Sequence, residues 1–392
     1  MDSLRSLRGR LAEAVNRERL VHTAVKLIDV PSPTGEGGAV ADRLSGLLAA
    51  DGFEVERPEG GHPRAPAVAA RLESGRPGRT LQFNGHLDTV HLPFASARIE
   101  GDRITGSGAA DMKAGVAAAV EAVRALRDAG VLTGGSVLLT AHDLHEAPWG
   151  YGEQLNAMIE AGLAGDAVLL PEPLSENLPV VGRGSAVWRV TLRRPGPPVH
   201  EVMRPMDEPS VIAAGADLVA RLGRLDERLA RKSDPIGGRE SVFVGQLHSG
   251  EIFNQYPQEC FLEGTRRWLP DTSPKEVEGE FRALVGELER ETGTRAECSY
   301  HVIRDAFYLD PKDPIVAAFS AAYETDAGKS LPVGAKPFCD DGNSFWGIAR
   351  RPAITHGPRA GGQHTTEEWV SIDDLVRVAR LYAMTAAVYC GG

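Results

Sequence analysis

Leu4, Leu7, Leu11, Leu20, Ala24, Val25 and Ile28 recur at largely helical spacing between charged residues, which predicts amphipathic helices up to Pro31-Ser32-Pro33. There the prolines lack backbone donors and disfavour helix in the residue before each. Residues 40–52 read as another helix, with Gly52 as its stop. Apolar runs at 68–72, 80–90, 136–142 and 167–173 read as strands, and the Ala-rich stretch 112–130 as a helix closed by Gly130. Strands alternating with helices imply an α/β layered domain. Around residue 182 the pattern changes. Residues 186–194 alternate apolar and polar side chains, as a strand buried on one face does; 240–250 and 259–269 are strand-like, and 211–225 and 275–292 helical. This predicts a small α+β insertion at 183–303 within an α/β domain formed by 1–182 and 304–392, which closes with an amphipathic helix at 373–389.

Composition narrows the function classes. Of 392 residues, 42% are hydrophobic and 25% charged, enough apolar material for a sizeable core. The formal charge of −11 disfavours generic binding to a phosphate backbone, so nucleic acid is not an expected partner. Cys260, Cys298, Cys339 and Cys390 lie far apart and form no CxxC pair, which argues against a thiolate metal ribbon and a disulfide scaffold. The first 20 residues lack the apolar core of a secretion signal, and no stretch approaches the ~20 apolar residues that span a bilayer. The expectation is a cytoplasmic protein without membrane attachment.

The chemistry-bearing residues cluster at segment ends. In GHLDTV (85–90), His86 and Asp88 stand two apart, so on a strand both face one way and Asp88 can orient the His86 imidazole. GSGAADMKAG (106–115) resembles a dinucleotide fingerprint, but Asp111 fills the third glycine position, where a carboxylate at a helix start would repel a pyrophosphate. Nucleotide binding is therefore rejected, and Asp111 becomes a helix cap or a metal-bridging carboxylate. Residues 136–142 lead into Asp143-Leu144-His145-Glu146, 167–173 presents Glu172, and GGQHTTEEW presents His364. These are positions where an open α/β sheet assembles a site. Two histidines and three carboxylates without a cysteine suit zinc or a similar divalent ion, and they suffice for two ions sharing one ligand.

In order, GHLDTV, GSGAADMKAG, the acidic turn at 145–146, PEP and QHTTEEW resemble the dinuclear zinc aminoacylase and carboxypeptidase family, over nearly the whole chain. The resemblance implies an open mixed sheet with helices on both faces, plus the insert as a lid or dimerisation domain. It implies two Zn2+ per chain, with Co2+ or Mn2+ as substitutes. His86, Asp111 and Glu172 would surround one ion, and Asp111, Glu146 and His364 the other, with Asp88 supporting His86 from behind. In the insert it implies His200 as the group that polarises the substrate carbonyl, often across a homodimer, and Asn254 and Arg267 as binders of a small substrate's polar groups and carboxylate. Arg suits a carboxylate because its planar fork donates two parallel hydrogen bonds. Arg266 leaves that assignment open by one residue. The implied activity is metal-dependent hydrolysis of an amide bond in an N-acyl amino acid, short peptide or related molecule.

One departure stands out. The family normally carries two consecutive glutamates at the acidic turn, the first a general base and the second a metal ligand; here the pair is His145-Glu146. Imidazole, with a reference pKa of about 6.5, can take and return a proton. Two nearby cations would oppose its protonation. His145 is thus a replacement base, a metal ligand, or the mark of altered chemistry such as ligand binding, acyl transfer or a specialised biosynthetic step. Asp143 is a carboxylate that could substitute, and Trp149 and Tyr151 could shape an unusual pocket.

Overall fold

A computed structural model describes residues 2–392 and divides the chain into two compact units. The first comprises the chain up to Val180 together with Tyr308–Gly334 and Asp340–Gly392; the second is Val181–Phe307 with Ala335–Cys339.

The first unit is built on strands β1 (Val55–Glu56), β2 (Val68–Glu73), β3 (Thr80–His86), β4 (Ser136–His142), β5 (Ala167–Leu170) and β6 (Ala353–Thr355). Their order across the sheet is β1-β2-β4-β3-β5-β6. The central strands β4, β3, β5 and β6 run parallel, while β2 and β1 are antiparallel additions, so the sheet is mixed as expected. Every residue of β4 and β5, and all of β3 beyond Thr80, is buried. Alternate side chains leave opposite faces, so both faces of the sheet are covered. The helices Lys113–Ala129 and Ile372–Gly391 pack on each other and on β3 and β4; Gly38–Ala50 packs on β1 and β2, and Asp341–Ala349 on β5 and β6.

Two strand ends fall short of the sequence reading. β3 stops at His86 rather than continuing to residue 90, because the Leu87 amide turns to the His142 carbonyl and Thr89 joins the Pro33 segment. β5 stops at Leu170, before Pro171, which has no amide to donate. The opening helical stretch is two helices, Asp2–Ala14 and Arg17–Ile28, the second capped by the Asn16 side chain on the Arg19 amide.

The second unit is a four-stranded antiparallel sheet, ordered Ser241–Ser249, Glu259–Trp268, Gly184–Arg193, Arg295–Arg304, with the helices Val211–Leu229 and Pro274–Thr292. A capping box between Ser273 and Glu276 starts the latter helix. Trp188, Val190 and Leu192 from the sheet meet Leu218, Leu222, Phe281 and Val285 from the helices in one apolar core. Gly264 lets the central strands close: a Cβ there would stand 1.9 Å from the Phe243 carbonyl oxygen and 2.4 Å from the Trp188 ring. Gly264→Ala should therefore destabilise the protein by about 1–3 kcal/mol through overpacking, read as a lowered urea midpoint.

Candidate metal centre

Parallel pairing of β3 with β4 sets His86 opposite His142 at the carboxyl edge of the sheet. The His86 Nδ1 lies 3.0 Å from the Asp88 main-chain carbonyl, which can only accept, so Nδ1 carries a hydrogen and Nε2 is the nitrogen left for a second proton or a metal. That Nε2 points at Asp111 Oδ1 (3.1 Å) and Glu172 Oε1 (3.8 Å). Asp111 turns its other oxygen to His364 Nε2 at 3.1 Å, and His364 Nε2 is 3.3 Å from Glu146 Oε2. Asp111 thus stands between the two histidines, one oxygen toward each. The structure brings together His86, Asp88, Asp111, His145, Glu146, Glu172 and His364 from five separate stretches of the first unit.

Asp88 does a different job from the one its spacing suggested. Its main-chain carbonyl orients His86, while its carboxylate Oδ1 stays 3.6 Å from the ring. Oδ2 instead accepts the amides of His145 and Glu146, both at 3.0 Å, and so shapes the acidic turn. Burial pushes this carboxyl up, but His86 and the Glu146 amide outweigh it and hold it at about 2. Asp143 is no spare base. Its oxygens accept the amides of Gly35, Gly37 and Leu144, tying the turn to the 35–37 loop.

Electrostatics follow from burying so many carboxylates together. Burial and the Asp111 charge push Glu172 well above the usual carboxylate range. Burial also opposes ionisation of Asp111, but bonds to His364 and His86 hold it far below that range. Burial likewise works against the charged form of His86, yet Asp111 and Asp88 raise it well above 6.5; Asp111 and Glu146 raise His364 to about 10. Carboxylates and imidazole lone pairs in contact need a cation between them, a proton or a metal. Two imidazole Nε2 atoms and three carboxylates, with no thiolate, form a donor set that fits divalent ions of the zinc kind. His86, Asp111 and Glu146 each offer one donor atom within 4.8 Å of the others.

A match to the family model for peptidase family M20/M25/M40 covers residues 82–387. The chain belongs to that family. It is a metal-dependent amidohydrolase, with the α/β fold and inserted second unit that its solved relatives share. A succinyl-diaminopimelate desuccinylase of Methylobacterium sp. (strain 4-46) is 28% identical over 386 residues, which span 93% of this chain and 94% of that protein. The aminopeptidase PepT of Bacillus cereus superposes with a TM-score of 0.78 at 20% identity, covering 96% of this chain and 99% of its own. A dinuclear metal-binding M20 peptidase of Bacillus subtilis gives a TM-score of 0.67 at 16% identity, covering 95% and 97%.

Against this M20 background, three residues that sequence reasoning passed over support the centre. Glu368, in the QHTTEEW segment, accepts the amides of Ala110 and Asp111 at 3.0 Å each and so fixes the Asp111 loop; burial lifts its carboxyl to about 7. His142 and Asp341 flank His145. Asp341 Oδ1 lies 2.8 Å from His145 Nδ1 and Oδ2 lies 2.7 Å from His142 Nε2. Asp341 is held well below the carboxylate range against burial, chiefly by His142 and then His145. Asp341 follows Asp340, the N-cap of its helix, and no local sequence signal sets it apart from a capping carboxylate. The His145 ring stacks on His86 with centroids 4.0 Å apart and planes at 9°. Trp149 stacks on His91 at 4.3 Å, half-exposed.

The other expected residues lie in the second unit, described by itself. His200 and Asn254 meet, the Asn254 amide nitrogen 3.0 Å from His200 Nε2, where Val199–His200 pairs with Gln255–Tyr256. Arg266 is buried and committed to Glu240 at 2.7 Å. Arg267 leaves the opposite face of the strand, with no carboxylate partner among the described residues, beside Arg183 and Cys339.

Not every histidine on the sheet edge joins the cluster. His356, just beyond β6, is fully buried with neither ring nitrogen bonded, and burial with the nearby Arg377 charge lowers it to about 3. Below about pH 6.5 the unfolded chain takes a proton that the folded ring refuses, so stability falls by up to about 1.4 kcal/mol per pH unit until pH nears 3. His356→Leu should flatten that acid limb, measured as urea midpoint against pH.

Proposed function

We propose that this protein hydrolyses the amide bond of a small, carboxylate-bearing substrate, an N-acyl amino acid or short peptide, with His145 as the proton-handling group. The observation that carries this reading is the convergence of His86, Asp111, Glu146, Glu172 and His364 beside a histidine whose Nε2 makes no hydrogen bond within the described residues. His86, Asp111 and Glu172 would hold one zinc-like ion, and Asp111, Glu146 and His364 a second. Bound there, such ions supply Lewis acidity, which polarises a carbonyl oxygen and makes water more acidic. His145 Nε2 accepts a proton from the attacking water and returns it to the departing amine nitrogen. His200 polarises the carbonyl, and Arg267 with Asn254 grips the carboxylate side.

The desuccinylase relatives favour an N-succinyl amino acid as substrate, and the tripeptidase and dipeptidase neighbours a di- or tripeptide. A homodimer through the second unit is supported by exposed apolar residues beside His200 and Asn254, namely Val202, Met203, Met206, Ile252 and Phe253. No helix among the described residues is long and apolar enough to cross a membrane, and no disulfide joins the four cysteines, which suits the reducing cytoplasm.

A second reading, ligand binding, acyl transfer or a biosynthetic step in place of hydrolysis, is favoured by one observation. Donor atoms of His86, His145 and Glu172 lie within 4.8 Å of one another, so His145 can itself be a ligand.

The test is metal analysis of the purified protein, then turnover of N-succinyl-diaminopimelate, N-acyl amino acids, dipeptides and tripeptides. We expect two divalent ions per chain, turnover abolished by chelation and by His86→Ala, and kcat lowered about 10²–10⁴-fold in His145→Ala. Metal bound without turnover, joined to a gain of amidase activity in His145→Glu, would favour the second reading.

A further inference from the structure

The glutamate normally found at position 145 needs no help to be a base, but an imidazole does. Either ring nitrogen can carry the hydrogen, and only one tautomer leaves the outward nitrogen basic. The surroundings of Asp341 settle that choice. His142 has Nδ1 at 3.0 Å from the Asp143 carbonyl oxygen and Nε2 at 2.7 Å from Asp341 Oδ2, both acceptors, so both its nitrogens carry hydrogen. Asn84 Nδ2 donates to the same Oδ2 at 2.8 Å. The Asn84 amide is oriented in turn by the Thr140 hydroxyl, which donates to its Oδ1 at 2.9 Å and accepts from Gln82 at 2.7 Å. Gln82, Asn84, Thr140, His142 and Asp341 are all buried, so this chain across β3 and β4 is shielded from water. Asp341 is also the first residue of the helix Asp341–Ala349, where the helix dipole favours its negative charge.

With Oδ2 holding two donors opposite a charged His142, Asp341 is an ionised acceptor. Its Oδ1 meets His145 Nδ1 at 2.8 Å, and the hydrogen of that bond must come from the ring. We propose that Asp341 is the positioning residue of His145: by accepting the Nδ1 hydrogen it fixes the tautomer whose Nε2 lone pair takes the proton in the reaction. This rests on the reading that His145 handles that proton. His142 and Asn84 serve it by saturating the second oxygen, so that the carboxylate cannot rotate away. The parallel stack on His86 holds the ring plane, and Asp88 holds the backbone of the turn.

Heteronuclear NMR of the histidine ring nitrogens in the unaltered protein tests this, with the His145 signals assigned by their loss in His145→Gln. We expect His145 to be protonated at Nδ1 and bare at Nε2; a hydrogen on Nε2 with Nδ1 bare overturns the proposal and leaves the hydrolytic reading standing. In kinetics on N-succinyl-diaminopimelate, or on whichever member of the panel is turned over, Asp341→Asn should lower kcat about 10²–10⁴-fold with KM little changed. In the His145→Glu background the same change removes one of two facing carboxylates and should not lower kcat. Equal losses in both backgrounds would show a merely structural residue and overturn the proposal. Turnover that survives His145→Gln overturns the proton-handling reading and this one together. If Asp341→Asn does not fold, the spectrum of the unaltered protein still decides.

Discussion

Asp88, Asp111, Glu146, Glu172 and Asp341 are all buried or nearly so within a few ångströms of the carboxyl edge of one sheet. Such a concentration of negative charge in a low-dielectric interior is unfavourable unless positive charge is interleaved with it. The fold supplies part of that charge as imidazoles, with His86 between Asp88 and Asp111, His364 between Asp111 and Glu146, and His142 against Asp341. The residual excess, seen in the suppressed ionisation of Glu172, is what divalent ions would neutralise. The same imbalance that makes the region costly for the metal-free protein makes it a strong site for cations.

Holding these groups in place is a task for main chain as much as for side chains. Glu368 grips the amides before Asp111, Asp88 grips those of His145 and Glu146, and Asp143 ties the following turn to the 35–37 loop. Leu144 and His364 both adopt left-handed backbone, at φ 65 and φ 58, where non-glycine residues are uncommon. At Leu144 the bend persists because the buried Asp143 and Asp88 carboxylates hold the amides of Leu144, His145 and Glu146.

The periodic segments were legible in sequence because burial writes itself into the pattern. β4 and the helix at 274–292 fall within a residue of their expected ends, and the change near residue 182 marks where fully buried strands give way to alternating ones. The ligand-type residues were legible because each sits where an apolar run ends. What was hidden depends on register and on long-range pairing. That His142 lies beside His86 follows only from the offset of β3 on β4. Asp341 comes from a helix start nearly 200 residues away, with a local signature that reads as capping. That Arg266 is engaged by Glu240 follows from a pairing 26 residues apart that alternation along the strand does not reveal.

The histidine at position 145 is best understood through what a carboxylate base does not require. A glutamate presents equivalent oxygens, and solvation or a nearby cation suffices to keep it ionised. An imidazole presents two inequivalent nitrogens, and beside cations it resists protonation. A negative charge at the far nitrogen answers both needs, since it fixes the hydrogen there and stabilises the imidazolium that forms when the near nitrogen takes a proton. Asp341 stands at that far nitrogen. The Asp341 carboxylate is kept ionised by His142 and clamped by Asn84, so its charge is spent partly within the sheet and only partly on His145. On the reading that His145 handles the proton, exchange of glutamate for histidine at this turn would be a coupled change, in which His142 would matter to the reaction although its own nitrogens are both committed elsewhere.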